Sequence, residues 1–139
     1  MKILFIGGTG IISSACSALA VERGLDVHLL CRGESPRKVP EGAKVIHADI
    51  RNPDSVRQAL GKQTFDCVVD FVAFEKGHIE TDIDLFTGRT AQYIFISSAS
   101  AYKKPVDNWP ITESTPLHNP FWQYSRDKIA CEETLIQAS

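Results

Sequence analysis

The sequence predicts an α/β fold, a doubly wound parallel sheet of about five strands. Three observations lead there. Short apolar runs alternate with longer segments of helical period, glycines follow directly on the first apolar run, and the later run "DCVVDFV" is nearly all apolar, as a strand covered on both faces must be. At 139 residues and 43% hydrophobic the chain has the size of one domain, 1–139.

Lys2 to Ile6 reads as the first strand, and Ile12 to Arg23 as a helix with Ala15, Leu19 and Ala20 inward, ended by Gly24 where a left-handed residue is wanted. Asp26 to Cys31 is the second strand and Lys44 to His47 the third. "NPDSVRQALG" then supplies a helix cap at Asn52, a proline at the first helical position and a closing Gly61. Asp66 to Val72 is the fourth strand. "HIETDIDLF" spaces Ile79, Ile83 and Phe86 for a helix, and Tyr93 to Ile96 is a fifth strand running into "SSASAY". The loop from Lys103 to Pro120 holds four of the seven prolines and is expected to be structured but irregular. A last helix carries Tyr124 and Lys128. No repeat or low-complexity stretch is present.

A net charge of −2 with no basic run gives little attraction to nucleic acid or to an anionic membrane, so small-molecule chemistry is favoured. The apolar run after Lys2 is too short for a signal sequence or a membrane span, and the chain is read as cytoplasmic. Cys16, Cys31, Cys67 and Cys131 form no C-x-x-C pair and group with no histidine, which implies reduced thiols, mostly buried, and no metal site.

Gly7 and Gly10 stand straight after a strand and at the mouth of a helix, where absent side chains let backbone N–H groups and the helix dipole approach a pyrophosphate. An ordinary strand-to-helix turn uses glycines equally well; the position at the first turn of a parallel α/β pattern favours the anion. Past the second strand, where NAD binders carry an acid for the adenosine ribose, this chain offers Cys31 and Arg32. Arg32, with Arg37, either grips the 2′-phosphate of NADP through a bidentate contact or is a solvated loop arginine.

Five segments together resemble the extended short-chain dehydrogenase/reductases of the NAD-dependent epimerase/dehydratase type: "GGTGII", "ADIRNPDSV", "DFVAF", "ISSASAY" and "YSRDK", in the expected order along the whole chain. The resemblance implies a Rossmann-like sheet in order 3-2-1-4-5, incomplete at the C-terminal side. It also implies that Gly7, Thr9, Gly10, Ile11 and Ile12 cradle the cofactor, that Asp49 and Ile50 meet its adenine, and that Phe71, Val72 and Ala73 lie beside it. Asp49 can also simply cap a turn, and Phe71, Val72 and Ala73 can be plain core.

The cofactor implied is NAD(P), with NADP favoured by Arg32, and the substrate a nucleotide sugar or similar hydroxyl or carbonyl compound. Tyr124 and Lys128 stand four apart, so they share one helix face. With three tyrosines in the chain such a pair arises by chance in about one sequence in six, so the pair gains meaning only from the segments before it. Lowering a phenol by about 3 pKa units costs about 4 kcal/mol, which an adjacent ammonium and an oxidised nicotinamide can supply. In the catalytic set so implied, Tyr124 exchanges the hydroxyl proton, Lys128 also holds the nicotinamide ribose, and Ser98 donates to the same substrate oxygen. A strand-end serine such as Ser98 can also simply cap backbone groups; Ser97 and Ser100 are weaker candidates for its role.

Ala99 and Ser100 stand where dehydratases of this kind carry an Asp-Glu pair, which favours epimerisation or carbonyl reduction over dehydration. Ser13 occupies the position of the third glycine, predicting a first helix set slightly farther out. Cys31 replaces the usual acid, and no counterpart to the helix asparagine of a four-residue set is found. Members of the family run to about twice this length, so the residues are expected to be the N-terminal part of a longer protein, with the fifth strand an edge open to self-association. The competing expectations are a non-catalytic dinucleotide-binding regulatory or RNA-associated module, and an inactive fragment.

Overall fold

The structure, a computed structural model, describes residues 1–139. Its elements are β1 (Lys2–Ile6), α1 (Ile11–Glu22), β2 (Asp26–Cys31), β3 (Lys44–His47), α2 (Pro53–Leu60), β4 (Phe65–Asp70), α3 (Lys76–Phe86), β5 (Thr90–Phe95), a short 3-10 turn (Ala99–Ala101) and α4 (Gln123–Ala138). They form two compact units, one of Met1–Val72 with Thr81–Ile96, the other of Ala73–Glu80 with Ser97–Ser139.

The first unit is a five-stranded sheet in the order β3-β2-β1-β4-β5, and every pairing in it is parallel. Side chains alternate across a strand, so the central strands feed two separate cores. Leu4 and Ile6 of β1 join Leu30, Ile46 and Val68 with Val56 and Leu60 of α2 and Leu85 and Phe86 of α3. Ile3 and Phe5 face the other way, with Val27, Leu29, Val69 and Ala20 of α1. Helices on both faces explain why β1 and β4 lack a polar alternation.

Local chemistry sets the helix ends. Asn52 Oδ1 accepts from Ser55 N at 3.2 Å, with Pro53 at the first helical position of α2. Gly24 takes the left-handed conformation predicted for it, φ 75°, as the chain leaves α1.

Two expectations need correction. Ala15 and Leu19 of α1 point outward, and the buried residues of that helix are Ser13, Ser17 and Ala20. The reason is polar: Ser13 Oγ donates to Gly7 O at 2.6 Å and Ser17 Oγ to Gly8 O at 2.8 Å, so hydroxyls rather than methyls pack against the glycine turn. β5 begins at Thr90, three residues earlier than its apolar pattern suggests, because backbone pairing to β4 in the register Phe65↔Thr90 and Cys67↔Gln92 needs no buried side chain at an edge.

The second unit is organised by α4 and by the proline-bearing loop. Tyr102 bridges antiparallel to Leu117, Lys103 N donates to Pro116 O at 2.8 Å, and His118 N to Ala101 O at 3.0 Å. The loop is thus held by backbone bonds without forming a regular element, as expected. α4 buries Ser125, Lys128 and Cys131, which recur every three residues along one face.

Candidate functional site

In the first unit the chain leaves β1 at Gly7, whose φ of 76° favours glycine, and enters α1 through Gly10. A Cβ on Gly7 would lie 2.4 Å from Val72 Cγ1, and one on Gly8 would lie 2.6 Å from Leu29 Cδ2. These two glycines therefore serve close packing. A Cβ on Gly10 would meet only Ser13 Oγ, at 3.0 Å, and the carbonyl of Gly7, at 3.5 Å. The Gly10 N–H is already bonded to Ser13 Oγ at 2.8 Å, leaving the amides of the following first turn, which have no intrahelical acceptors, to meet an anion.

No acid stands in that first turn, and no side chain caps α1 from outside it. Ile11 and Ile12 are 80% and 66% exposed, apolar surface placed beside the helix N-terminus. Bare amides, no competing carboxylate and small residues fit a pyrophosphate. Thr9 O accepts from Ser35 Oγ at 3.1 Å, which ties the turn to the loop after β2.

Arg32 in that loop is exposed and ion-paired with Glu34 at 3.2 Å. Asp49 Oδ1 accepts from Arg51 N at 2.9 Å, so Asp49 does cap a turn, and Ile50 is buried in the core with Ile46 and Val56. Arg51 Nη2 donates to Val72 O, linking the loop after β3 to the end of β4. Phe71 packs edge-on against Phe5, ring centroids 5.6 Å apart.

Asp70 and Asp82 are both fully buried in this unit, and neither was anticipated as a pair. Tyr93 Oη donates to Asp82 Oδ2 at 2.5 Å, and Val72 N donates to Asp70 Oδ1. Asp82 Oδ1 has no donor facing it, and the Asp70 carboxyl is near enough to act on Asp82; two buried carboxyls side by side are best accommodated when one carries a proton. Burial first, and then the Asp70 hydrogen bond and charge, push the Asp82 carboxyl up to about 9. The sequence did carry a signal: Asp82 falls three residues after Ile79 on the apolar stripe of α3.

The second unit holds Ala73, Ser98, Tyr124 and Lys128. Lys128 is only 2% exposed; its Nζ donates to Ala73 O at 2.7 Å and lies 5.1 Å from the Phe74 ring centroid and 5.8 Å from that of Tyr124. A buried ammonium needs such company. Tyr124 is half-buried, flanked by Trp122 at 4.9 Å and Phe74 at 6.4 Å between centroids. Tyr124 and Lys128 thus share a helix face, as their spacing requires.

Ser98 caps the 3-10 turn, its Oγ accepting from Ser100 N at 3.2 Å and standing 2.8 Å from Ser100 Oγ. The cap and the site role are compatible. Ser97 Oγ donates to Glu132 Oε1, which commits its proton elsewhere. Two residues escaped the sequence reading: Ser125, whose Oγ donates to Ser100 Oγ at 2.9 Å, and Asn119, whose Nδ2 reaches Ser125 Oγ at 3.3 Å. Nothing in the pattern marks them, because their partners are distant in sequence. No helix is long and apolar enough to cross a membrane.

The profile of the NAD dependent epimerase/dehydratase family matches residues 3–86. The 2'-dehydrokanamycin reductase of Streptomyces kanamyceticus is 27% identical over 143 residues, covering 99% of this chain and 38% of that protein. The chloroplast stem-loop binding protein of 41 kDa b of Arabidopsis thaliana is 32% identical over 116 residues, 74% of this chain and 30% of its own. The UDP-Glc/GlcNAc 4-epimerase of Campylobacter jejuni superposes with a TM-score of 0.85 at 23% identity, covering 99% of this chain and 49% of that one, a likeness of fold. The chain spans less than half the length of each.

Proposed function

This chain belongs to the NAD dependent epimerase/dehydratase family, and on that premise we propose that it is the cofactor-binding part of an NAD(P)-dependent epimerase or carbonyl reductase acting on a nucleotide sugar or a similar hydroxyl compound. The observation that carries the reading is the buried Lys128, held by Ala73 O and two aromatic rings on the same helix face as Tyr124. An ammonium on the same helix face as a phenol is the pairing that proton exchange with a substrate hydroxyl uses.

The residues that would hold the dinucleotide are the turn Gly7, Thr9, Gly10, Ile11 and Ile12 for the pyrophosphate, Asp49 and Ile50 for the adenine side, Phe71, Val72 and Ala73 beside it, and Lys128 for the nicotinamide ribose. When bound, the cofactor supplies hydride acceptance and return. Tyr124 takes the substrate hydroxyl proton and gives it back, while Ser98 donates a hydrogen bond to the same oxygen. Turnover of UDP-glucose or UDP-galactose by the full-length protein is the test. Tyr124→Phe is expected to lower kcat at least about a hundredfold with cofactor affinity unchanged; equal rates overturn the assignment.

NADP is the preferred cofactor in this reading, with Arg32 exchanging Glu34 for the 2′-phosphate. Fluorescence titration should show NADPH bound more tightly than NADH, and Arg32→Ala should erase the difference; NADH bound as tightly by the unmodified protein refutes it.

A second reading, a nucleic-acid-binding module, is favoured by the name of the Arabidopsis relative and by Trp109 and Phe121, 78% and 76% exposed, as stacking surfaces. A net charge of −2 supplies no electrostatic attraction for it. Salt-dependent binding of an RNA hairpin that survives Tyr124→Phe would support this reading over the enzyme.

A further inference from the structure

Four side chains of the second unit form one hydrogen-bonded line, Asn119, Ser125, Ser100 and Ser98, and donor counts set its direction from Asn119 as far as Ser100. Asn119 Oδ1 accepts from Phe121 N at 3.1 Å, and Asn119 Nδ2 donates to Ser100 O at 2.8 Å. Turning the amide over would set N–H against N–H and carbonyl against carbonyl, so its orientation is fixed. The second N–H of Nδ2 points at Ser125 Oγ, 3.3 Å away. Ser125 Oγ therefore accepts there, and its single proton goes to Ser100 Oγ at 2.9 Å. Ser100 Oγ accepts that hydrogen bond; across the 2.8 Å to Ser98 Oγ either hydroxyl can donate, and the line runs head to tail when Ser100 does.

In that arrangement Ser98 Oγ accepts both from the Ser100 hydroxyl and from Ser100 N at 3.2 Å. Its one remaining hydrogen has no acceptor among these partners. Ser125 is fully buried and Asn119 is 7% exposed, so water does not easily compete at the start of the line. Hydrogen bonds aligned head to tail polarise one another, which makes the last hydroxyl a better donor.

We infer that Asn119, Ser125 and Ser100 are positioning residues that fix Ser98 as an outward hydrogen-bond donor, aimed at the oxygen of a carbonyl or hydroxyl substrate. The inference rests on the reading of Ser98 as a site residue. It gives Ser98 one role, donor to the reacting oxygen, and leaves proton exchange to Tyr124. No proton needs to travel along the line.

The test is a kinetic cycle on the full-length protein with UDP-glucose and NAD(P). Ser125→Ala is expected to lower kcat about tenfold, the scale of one weakened hydrogen bond, with KM within about twofold. In a Ser98→Ala background the same substitution is expected to do nothing further, because its effect passes through Ser98. Equal losses in both backgrounds, or none in either, overturn the inference. A Ser98→Ala variant with unchanged kcat removes the underlying reading instead, and the two failures are thereby told apart. Asn119→Asp presents an acceptor where a donor stood, so it is expected to draw the hydroxyls inward and to lower kcat at least as far as Ser125→Ala. Neutron diffraction from deuterated crystals supplies a readout without substrate: the Ser100 deuteron should lie toward Ser98, and a Ser98 deuteron pointing at Ser100 Oγ refutes the proposal even if a variant fails to fold.

Discussion

Lys128 is a lysine buried to 2% exposure, and burial of that kind has to be compensated. Taking an ammonium out of water costs several kcal/mol unless it is paired or hydrogen-bonded, and here one carbonyl at 2.7 Å and two aromatic faces share the work. A methionine of similar length would pack in the same space without that cost. Lys128→Met is therefore expected to hold or raise the thermal midpoint while lowering kcat by about a hundredfold or more. Melting curves and turnover of the full-length protein check the two halves separately. A variant that melts early yet keeps its activity would show the ammonium to be structural.

The glycine turn and α1 show how far an element can be read from its letters. The strand, the turn, the helix and its Gly24 end all follow from pattern and from the need for a left-handed residue. Which face of α1 is buried does not, because hydrophobic spacing points to Ala15 and Leu19 while the hydroxyls of Ser13 and Ser17 find carbonyls of the turn. The same limit hid Asn119 and Ser125: a hydrogen bond between residues 19 or 25 positions apart leaves no period in the sequence. Tyr124 and Lys128 were legible because helix geometry alone sets them on one face. The turn itself permits a sharp test. Gly7 and Gly24 have nearly the same φ, 76° and 75°, but only Gly7 has a neighbour where a Cβ would go. Gly24→Ala is expected to cost about 1 kcal/mol of left-handed strain, and Gly7→Ala about 1–3 kcal/mol more from the clash with Val72. Denaturation midpoints measure the difference; equal costs would mean that Val72 moves aside freely.

For the protein as a whole, the buried Asp70–Asp82 contact ties stability to pH. Asp82 stands at about 9 in the folded chain, against 3.8 as its ordinary value, so between these limits the folded state holds a proton that the unfolded chain has released. Stability from this group is then fully present in acid and is lost as pH rises toward 9, by at most about 1.4 kcal/mol per pH unit. The groups facing it are Asp70, which raises it, and Tyr93 and Arg51, which oppose the shift without reversing it. Three other shifted groups lie outside the window from pH 7 to 9. Asp26 is held below 3.8, chiefly by its hydrogen bond from Lys44. His28 is pushed below 6.5, chiefly by burial, and Cys67 above 9.0 by burial. Within that window the melting temperature is therefore expected to fall as pH rises. Asn in place of Asp82 can donate to Asp70 and accept from Tyr93 at every pH, reproducing the neutral acid. Asp82→Asn should match the unmodified protein near pH 7 and flatten its decline toward pH 9. A decline of the same slope in both would show that Asp82 is already ionised in the folded state.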